Sequence, residues 1–164
     1  MKLVGFSVTN YRSVTTAHKI PMKNLTVLVG KNNEGKSNIL SALSVAMRAV
    51  MLHSRGDAFF SQTPRGRNVF DYKWERDFPI QFQSRKSGLE SIFRLNFRLE
   101  GNELDEFHSA TGIHGNEDIP ISVKIGKENI PKVEVPKKGS SAYNLKSECQ
   151  VMKKHTKYKS GAAA

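Results

Sequence analysis

A chain of 164 residues, 38% apolar and 25% charged, has room for one domain with a real hydrophobic core and too little for a second. No apolar run approaches a bilayer crossing, and the opening residues 1–8 alternate like a strand, without the apolar stretch or small-residue cleavage site of an export signal. The net charge of +11, from 26 Lys plus Arg against 15 Asp plus Glu, favours polyanionic partners such as nucleic acid, and the single cysteine, Cys149, excludes an internal disulfide and fits a reducing cytoplasm.

Residues 2–9 read as a strand with Val4, Phe6 and Val8 on one face, followed by a turn over Asn10, Tyr11, Arg12 and Ser13. A second short strand fits residues 16–20. Pro21 and Asn24 bracket a turn before Leu25-Thr26-Val27-Leu28-Val29, an apolar run without alternation, which is the pattern of a strand buried on both faces. Gly30 ends it. Residues 37–52 predict a helix with apolar side chains on almost every side, Ile39, Leu40, Ala42, Leu43 and Ala46 among them, hence one inside the domain.

Residues 53–90 break this pattern with Gly56, Pro64, Gly66 and Pro79, yet carry Phe59, Phe60, Phe70, Tyr72, Trp74 and Phe78. So many aromatics argue for an ordered insertion rather than a linker. Phe59, Phe60, Tyr72 and Trp74, interleaved with Arg55, Arg65, Arg67, Lys73 and Arg76, could stack on bases; more often such rings anchor a loop to the core. Residues 92–100 alternate Phe93, Leu95, Phe97 and Leu99 with Arg94, Asn96, Arg98 and Glu100, a strand with one packed and one wet face. Asn102 is placed to cap a short helix through Ser109, with Glu103, Asp105 and Glu106 in the first turn, where they suit the dipole. After a loop at 112–118, Ile119, Ile121, Val123 and Ile125 give another alternating strand, and Val133 with Val135 a third. Residues 131–164 hold eight Lys and two Glu, which is +6 of the +11, and form either a solvated tail or a DNA-facing one. The chain divides into a lobe over 1–135 and a Lys-rich tail or truncated continuation over 136–164.

Gly30-Lys31-Asn32-Asn33-Glu34-Gly35-Lys36-Ser37 matches the P-loop pattern at every fixed position. A triphosphate needs many N–H donors at close range, and a loop that opens a helix supplies them together with a favourable dipole. Gly30 and Gly35 allow close backbone approach, Lys36 would reach the β and γ phosphates, and the Ser37 hydroxyl is the expected Mg²⁺ ligand. A chance match in a chain this long is roughly one in a few hundred. The motif is expected to follow a buried strand and to open an apolar helix, the context it requires.

Taken with Asn10-Tyr11-Arg12-Ser13 and the continuation Asn38-Ile39-Leu40, this stretch resembles the amino-terminal lobe of ABC-type ATPases of the SMC, RecF and OLD (overcoming lysogenisation defect) group. Trp74 followed by Asp77-Phe78-Pro79, with the later strands, looks like the OLD-like branch in particular. The resemblance implies an α/β P-loop NTPase head, with the P-loop helix on a mixed sheet and an antiparallel β-lobe. It implies ATP and Mg²⁺ as cofactors, a homodimer or higher homo-oligomer formed around nucleotide, action on DNA in repair or anti-phage defence, and a nuclease domain or partner protein. It places Arg12 and Ser13 near the nucleotide, although Arg12 also reads as an ordinary surface arginine. Asn32 and Asn33 would shape the loop or meet a partner subunit, and Glu34 and Asn38 count among the nucleotide-binding residues.

Other parts of such a head are missing from the sequence. Leu104-Asp105-Glu106 is the nearest approach to an apolar strand ending in Asp-Glu, and Ser87-Gly88-Leu89 lacks the second glycine of a signature motif, so no catalytic residue for hydrolysis is identifiable. No Asp-x-Asp pair of a Toprim nuclease occurs, and His18, His53, His108, His114 and His155 make no metal-ligand spacing. The ending Ser160-Gly161-Ala162-Ala163-Ala164 reads as a truncation, an added linker or an unassigned tail. A GTPase or small kinase would require Asn-Lys-x-Asp or more helices after the P-loop, and strands follow instead. A module that binds nucleotide to fix a shape, without turnover of its own, is the alternative.

Overall fold

A computed structural model describes residues 1–32, 34–55, 70–111 and 118–135. Strands β1 (Lys2–Tyr11) and β2 (Val14–Pro21) form a hairpin, helix α1 (Lys36–Arg55) follows, and a short helix α2 (Trp74–Asp77) leads through a 3₁₀ turn (Ile80–Phe82) to β3 (Ser91–Arg98). Helix α3 (Asn102–Thr111), β4 (Asp118–Ile125) and β5 (Pro131–Glu134) complete the order. The five strands make one sheet in the order β2-β1-β3-β4-β5, and every pair is antiparallel. The antiparallel lobe expected from the alternating strands is therefore present, and the described residues contain no parallel pair.

Alternation decides which face of the sheet is dry. Phe93, Leu95, Phe97, Ile119, Ile121, Val123, Ile125 and Val133 point to one side and are buried with Phe6, Val8 and Tyr11 of β1. Against them lies α1, through Ala42, Val45, Ala46, Ala49 and Val50, a spacing that keeps small residues on one stripe and lets the helix approach closely. The rest of α1 is wetter than its composition suggests, with Leu40 and Met51 exposed. Helix α1 is amphipathic here, not enclosed.

Three other expectations are corrected. Asn10 and Tyr11 belong to β1, so the turn is confined to Arg12 and Ser13, and Tyr11 is fully buried with its hydroxyl 2.9 Å from Ser41 Oγ on α1. Leu25 to Val29 is not a strand: the segment carries no ladder, and Leu25, Val27 and Val29 are 80%, 68% and 90% exposed. Its apolar run asks for neighbours on both sides, and the described residues do not supply them. Asn102 lies inside α3 rather than capping it; the reach-back comes from the Glu103 carboxylate, which accepts the Glu100 N–H and pairs with the amino terminus of Met1.

The insertion's aromatics fall into three groups. Phe70 is half-buried and stacked on Tyr72. Tyr72, Trp74 and Phe78 are buried in the core, Trp74 stacked on Phe78 at 5.1 Å, so anchoring is their role. Phe59, Phe60, the loop at 112–117, Cys149 and the tail at 136–164 lie outside the described residues.

Candidate nucleotide-binding site

Helix α1 begins where Gly35 adopts φ +84°, a left-handed conformation that glycine takes without penalty. The Gly35 carbonyl accepts the Ile39 N–H at 2.9 Å, so the N–H groups of Lys36, Ser37 and Asn38 precede the first helical bond and are free by helix geometry. No acidic side chain occupies the first turn to compete for them. The Ser37 side chain is exposed beside them.

The loop before the helix is closed on itself. Lys36 Nζ donates to the carbonyls of Gly30, at 2.7 Å, and Lys31. The Lys31 N–H donates to the Glu34 carboxylate at 2.7 Å, and a Cβ on Gly30 would stand 2.5 Å from that same carboxylate oxygen. Glu34 thus sits among donors suited to an anion and takes one of them. A loop with a glycine at each close approach, a lysine folded over it and a helix N-terminus behind it fits a polyphosphate. The residues brought together are Gly30, Glu34, Gly35, Lys36, Ser37 and Asn38; Asn32 is exposed on the loop, and Asn33 lies outside the described residues.

The turn after β1 packs against this helix start. Ser13 Oγ accepts a hydrogen bond from Asn38 Nδ2 at 2.8 Å, and a Cβ on Gly35 would stand 3.4 Å from Ser13 Oγ. Arg12 has φ +49°, a conformation that costs an L-residue roughly 1–2 kcal/mol. It is held there by its N–H on the Asp77 carbonyl at 2.6 Å and its Nε on Asp77 Oδ1 at 2.8 Å. Arg12 is thus tied to a buried carboxylate.

Asp77 is the residue that sequence reasoning missed as a functional candidate. Burial pushes its carboxyl up, but hydrogen bonds from Arg76, the Lys73 N–H and Arg12 outweigh burial and hold it below the ordinary aspartate range. Its partner Arg12 stands 65 positions away, and no local spacing announces the pair. No group of His, Cys, Asp and Glu among the described residues could hold a metal ion, and none of the described helices is long and apolar enough to cross a membrane.

Comparison with known proteins places this geometry. A search of curated proteins gave no match. Among solved structures, one described as "Structural biochemistry of ATP-driven dimerization and DNA stimulated activation of SMC ATPases" aligns over 93% of this chain and 78% of its own, at 13% identity and TM-score 0.50. Another, the SmcHead bound to the C-winged helix domain of ScpA, aligns over 93% of this chain and 40% of its own, at 12% identity and TM-score 0.48. The first likeness shows the fold, that of an SMC-type ATPase head. A family model described as AAA ATPase domain matches residues 1–159, and the chain belongs to that family.

Proposed function

We propose that this chain is the ATP-binding part of a DNA-linked ATPase head that dimerises around nucleotide, of the OLD-like branch, acting in DNA repair or anti-phage defence. The observation that carries the proposal is the closed loop at 30–37, its lysine folded over backbone carbonyls at the open end of α1. Gly30, Asn32, Glu34, Gly35, Lys36, Ser37 and Asn38 would line the phosphate site with Arg12 and Ser13 flanking it, the Ser37 hydroxyl would be the Mg²⁺ ligand, and Asn33 is assigned to the loop by sequence alone. Magnesium, when bound, neutralises phosphate charge. Lys36 exchanges its two carbonyl acceptors for phosphate oxygens, and the free N–H groups at the helix start bind and orient the same anion.

DNA as partner draws support from the wet face of the sheet. By register, Lys2, Arg94, Arg98, Lys124 and Lys132 share that face with Ser7, Thr9, Asn96 and Ser122, with Ile92 and Pro120, and with two acids, Asp118 and Glu134. Each acid already pairs with a cation, Asp118 with Arg98 at 2.7 Å and Glu134 with Lys124 at 2.8 Å. Cations and small polar groups without aromatic platforms suit phosphate contacts along a duplex rather than base stacking. The SMC ATPases of the aligned structure are described as dimerising under ATP and as activated by DNA, which favours the same behaviour here.

A head of this kind forms its dimer between two copies, with a nuclease domain or partner protein attached, and works in the cytoplasm. The exposed Leu25, Val27 and Val29 favour packing by a further apolar segment before turnover is possible. A nucleotide-gated scaffold without hydrolysis of its own is the second reading. ATP turnover by the full-length protein, with and without duplex DNA, tests the proposal. DNA-stimulated turnover supports the ATPase head, and tight ATP binding without turnover supports the scaffold.

A further inference from the structure

Asp77 is the only charged residue among the described ones with a fully buried side chain. Its two oxygens collect four donors: Arg12 Nε at 2.8 Å and Arg76 Nε at 3.0 Å on Oδ1, the Lys73 N–H at 3.0 Å and Arg76 Nη2 at 2.7 Å on Oδ2. The mount beneath it is stiff, since the Trp74 N–H donates to Asn129 Oδ1 at 2.6 Å and Trp74 Nε1 donates to the Leu89 carbonyl at 3.0 Å. Asp77 is thereby fixed to the sheet side of the molecule while it grips a turn on the loop side.

What it grips is Arg12 by the backbone N–H and by Nε only. The two terminal nitrogens of Arg12 have no hydrogen-bond partner among the described residues, and its side chain is 34% exposed. The next residue, Ser13, touches both Asn38 and Gly35. A guanidinium held by one edge, 5.2 Å over the Tyr11 ring and one residue before the serine that touches the phosphate loop, keeps donors for an anion. We propose that Asp77 is a positioning residue of the nucleotide site, holding Arg12 so that its terminal nitrogens meet the bound phosphates and keeping Ser13 against the start of α1. This rests on the phosphate loop being the ATP site. Asparagine at 77 would keep the shape but lose the charge and one acceptor, so Arg12 would be released from its left-handed turn.

The test uses the full-length protein and a fluorescent ATP analogue. Asp77→Asn and Arg12→Ala should each weaken binding about tenfold, as for loss of one charge-assisted hydrogen bond, and the double variant should bind no more weakly than Arg12→Ala alone. Without nucleotide, amide exchange at residues 12–13 and 36–38 should quicken in Asp77→Asn. Arg12→Lys, which keeps charge and fold but lacks the Nε donor, should match Asp77→Asn. Wild-type affinity in Asp77→Asn or Arg12→Lys overturns the proposal, as does a full extra loss when Asp77→Asn is added to Arg12→Ala. Lys36→Ala serves as the separate control: unchanged affinity in that variant removes the ATP site itself, whereas lost affinity there with an inert Asp77→Asn removes only the positioning role.

Discussion

Asn38, on the first turn of α1, donates through Nδ2 to the Ser13 hydroxyl at 2.8 Å and so fastens the phosphate loop's helix to the hairpin turn between β1 and β2. The bond is exposed and its energetic value small. Its importance is geometric, because Gly35 lies against the same hydroxyl with φ +84°. Ser13→Ala should lower stability by about 0.5–1 kcal/mol. Gly35→Ala should cost roughly 1–2 kcal/mol from the left-handed backbone and weaken ATP binding as well. Thermal melts of both variants, with and without ATP, check the ordering.

Glu34 occupies a donor that a phosphate would use, since its carboxylate takes the Lys31 N–H at 2.7 Å. It is an exposed negative charge beside the anion site. Glu34→Ala should therefore tighten ATP binding, by up to about fivefold as expected for one exposed charge, with the gain shrinking at high salt. Titrations at two ionic strengths read this out.

The strands were legible in sequence because a half-buried strand prints its own period: Phe93, Leu95, Phe97 and Leu99 alternate with polar residues, and the same four are buried. The phosphate loop was legible because its glycines and lysine are local requirements of one turn. Leu25 to Val29 has the composition of a buried strand without being one, since an apolar run records the need for burial and not the presence of the neighbour that satisfies it. Asp77 was illegible because its worth lies in Arg12, brought to it only when α2 docks beside the end of β1. Tyr11 sits in a turn-like stretch of sequence, and only a long-range contact, its ring packing 5.6 Å from Phe93, reveals it as part of the core.

Because hydrogen bonds hold Asp77 below the ordinary aspartate range, the folded state binds its proton less readily than the unfolded chain. Stability from this group is present above the unfolded value of about 3.9 and falls as pH drops through the lower folded value. Wild type should lose stability on acidification below about pH 4 more steeply than Asp77→Asn, whose curve lacks this component. Urea midpoints across pH 2 to 7, roughly the range over which carboxylates titrate, test the difference.

On the wet face of the sheet, Arg94 and Lys132 belong to no ion pair among the described residues, unlike Arg98 and Lys124. Arg94→Ala and Lys132→Ala should each weaken duplex DNA binding and reduce the slope of log affinity against log salt by about 0.9. Neither should alter ATP affinity without DNA. Fluorescence anisotropy with one duplex at four or so salt concentrations is sufficient, given the linear salt law.

The most direct measurement is ATP binding by the full-length protein, wild type against Lys36→Ala, followed by calorimetry in the presence of Mg²⁺. Lys36 reaches only loop carbonyls in the structure, so its removal should leave the fold and melting temperature intact while abolishing measurable ATP binding. Equal ATP affinity in the two proteins would contradict the assignment of residues 30–37 as the nucleotide site.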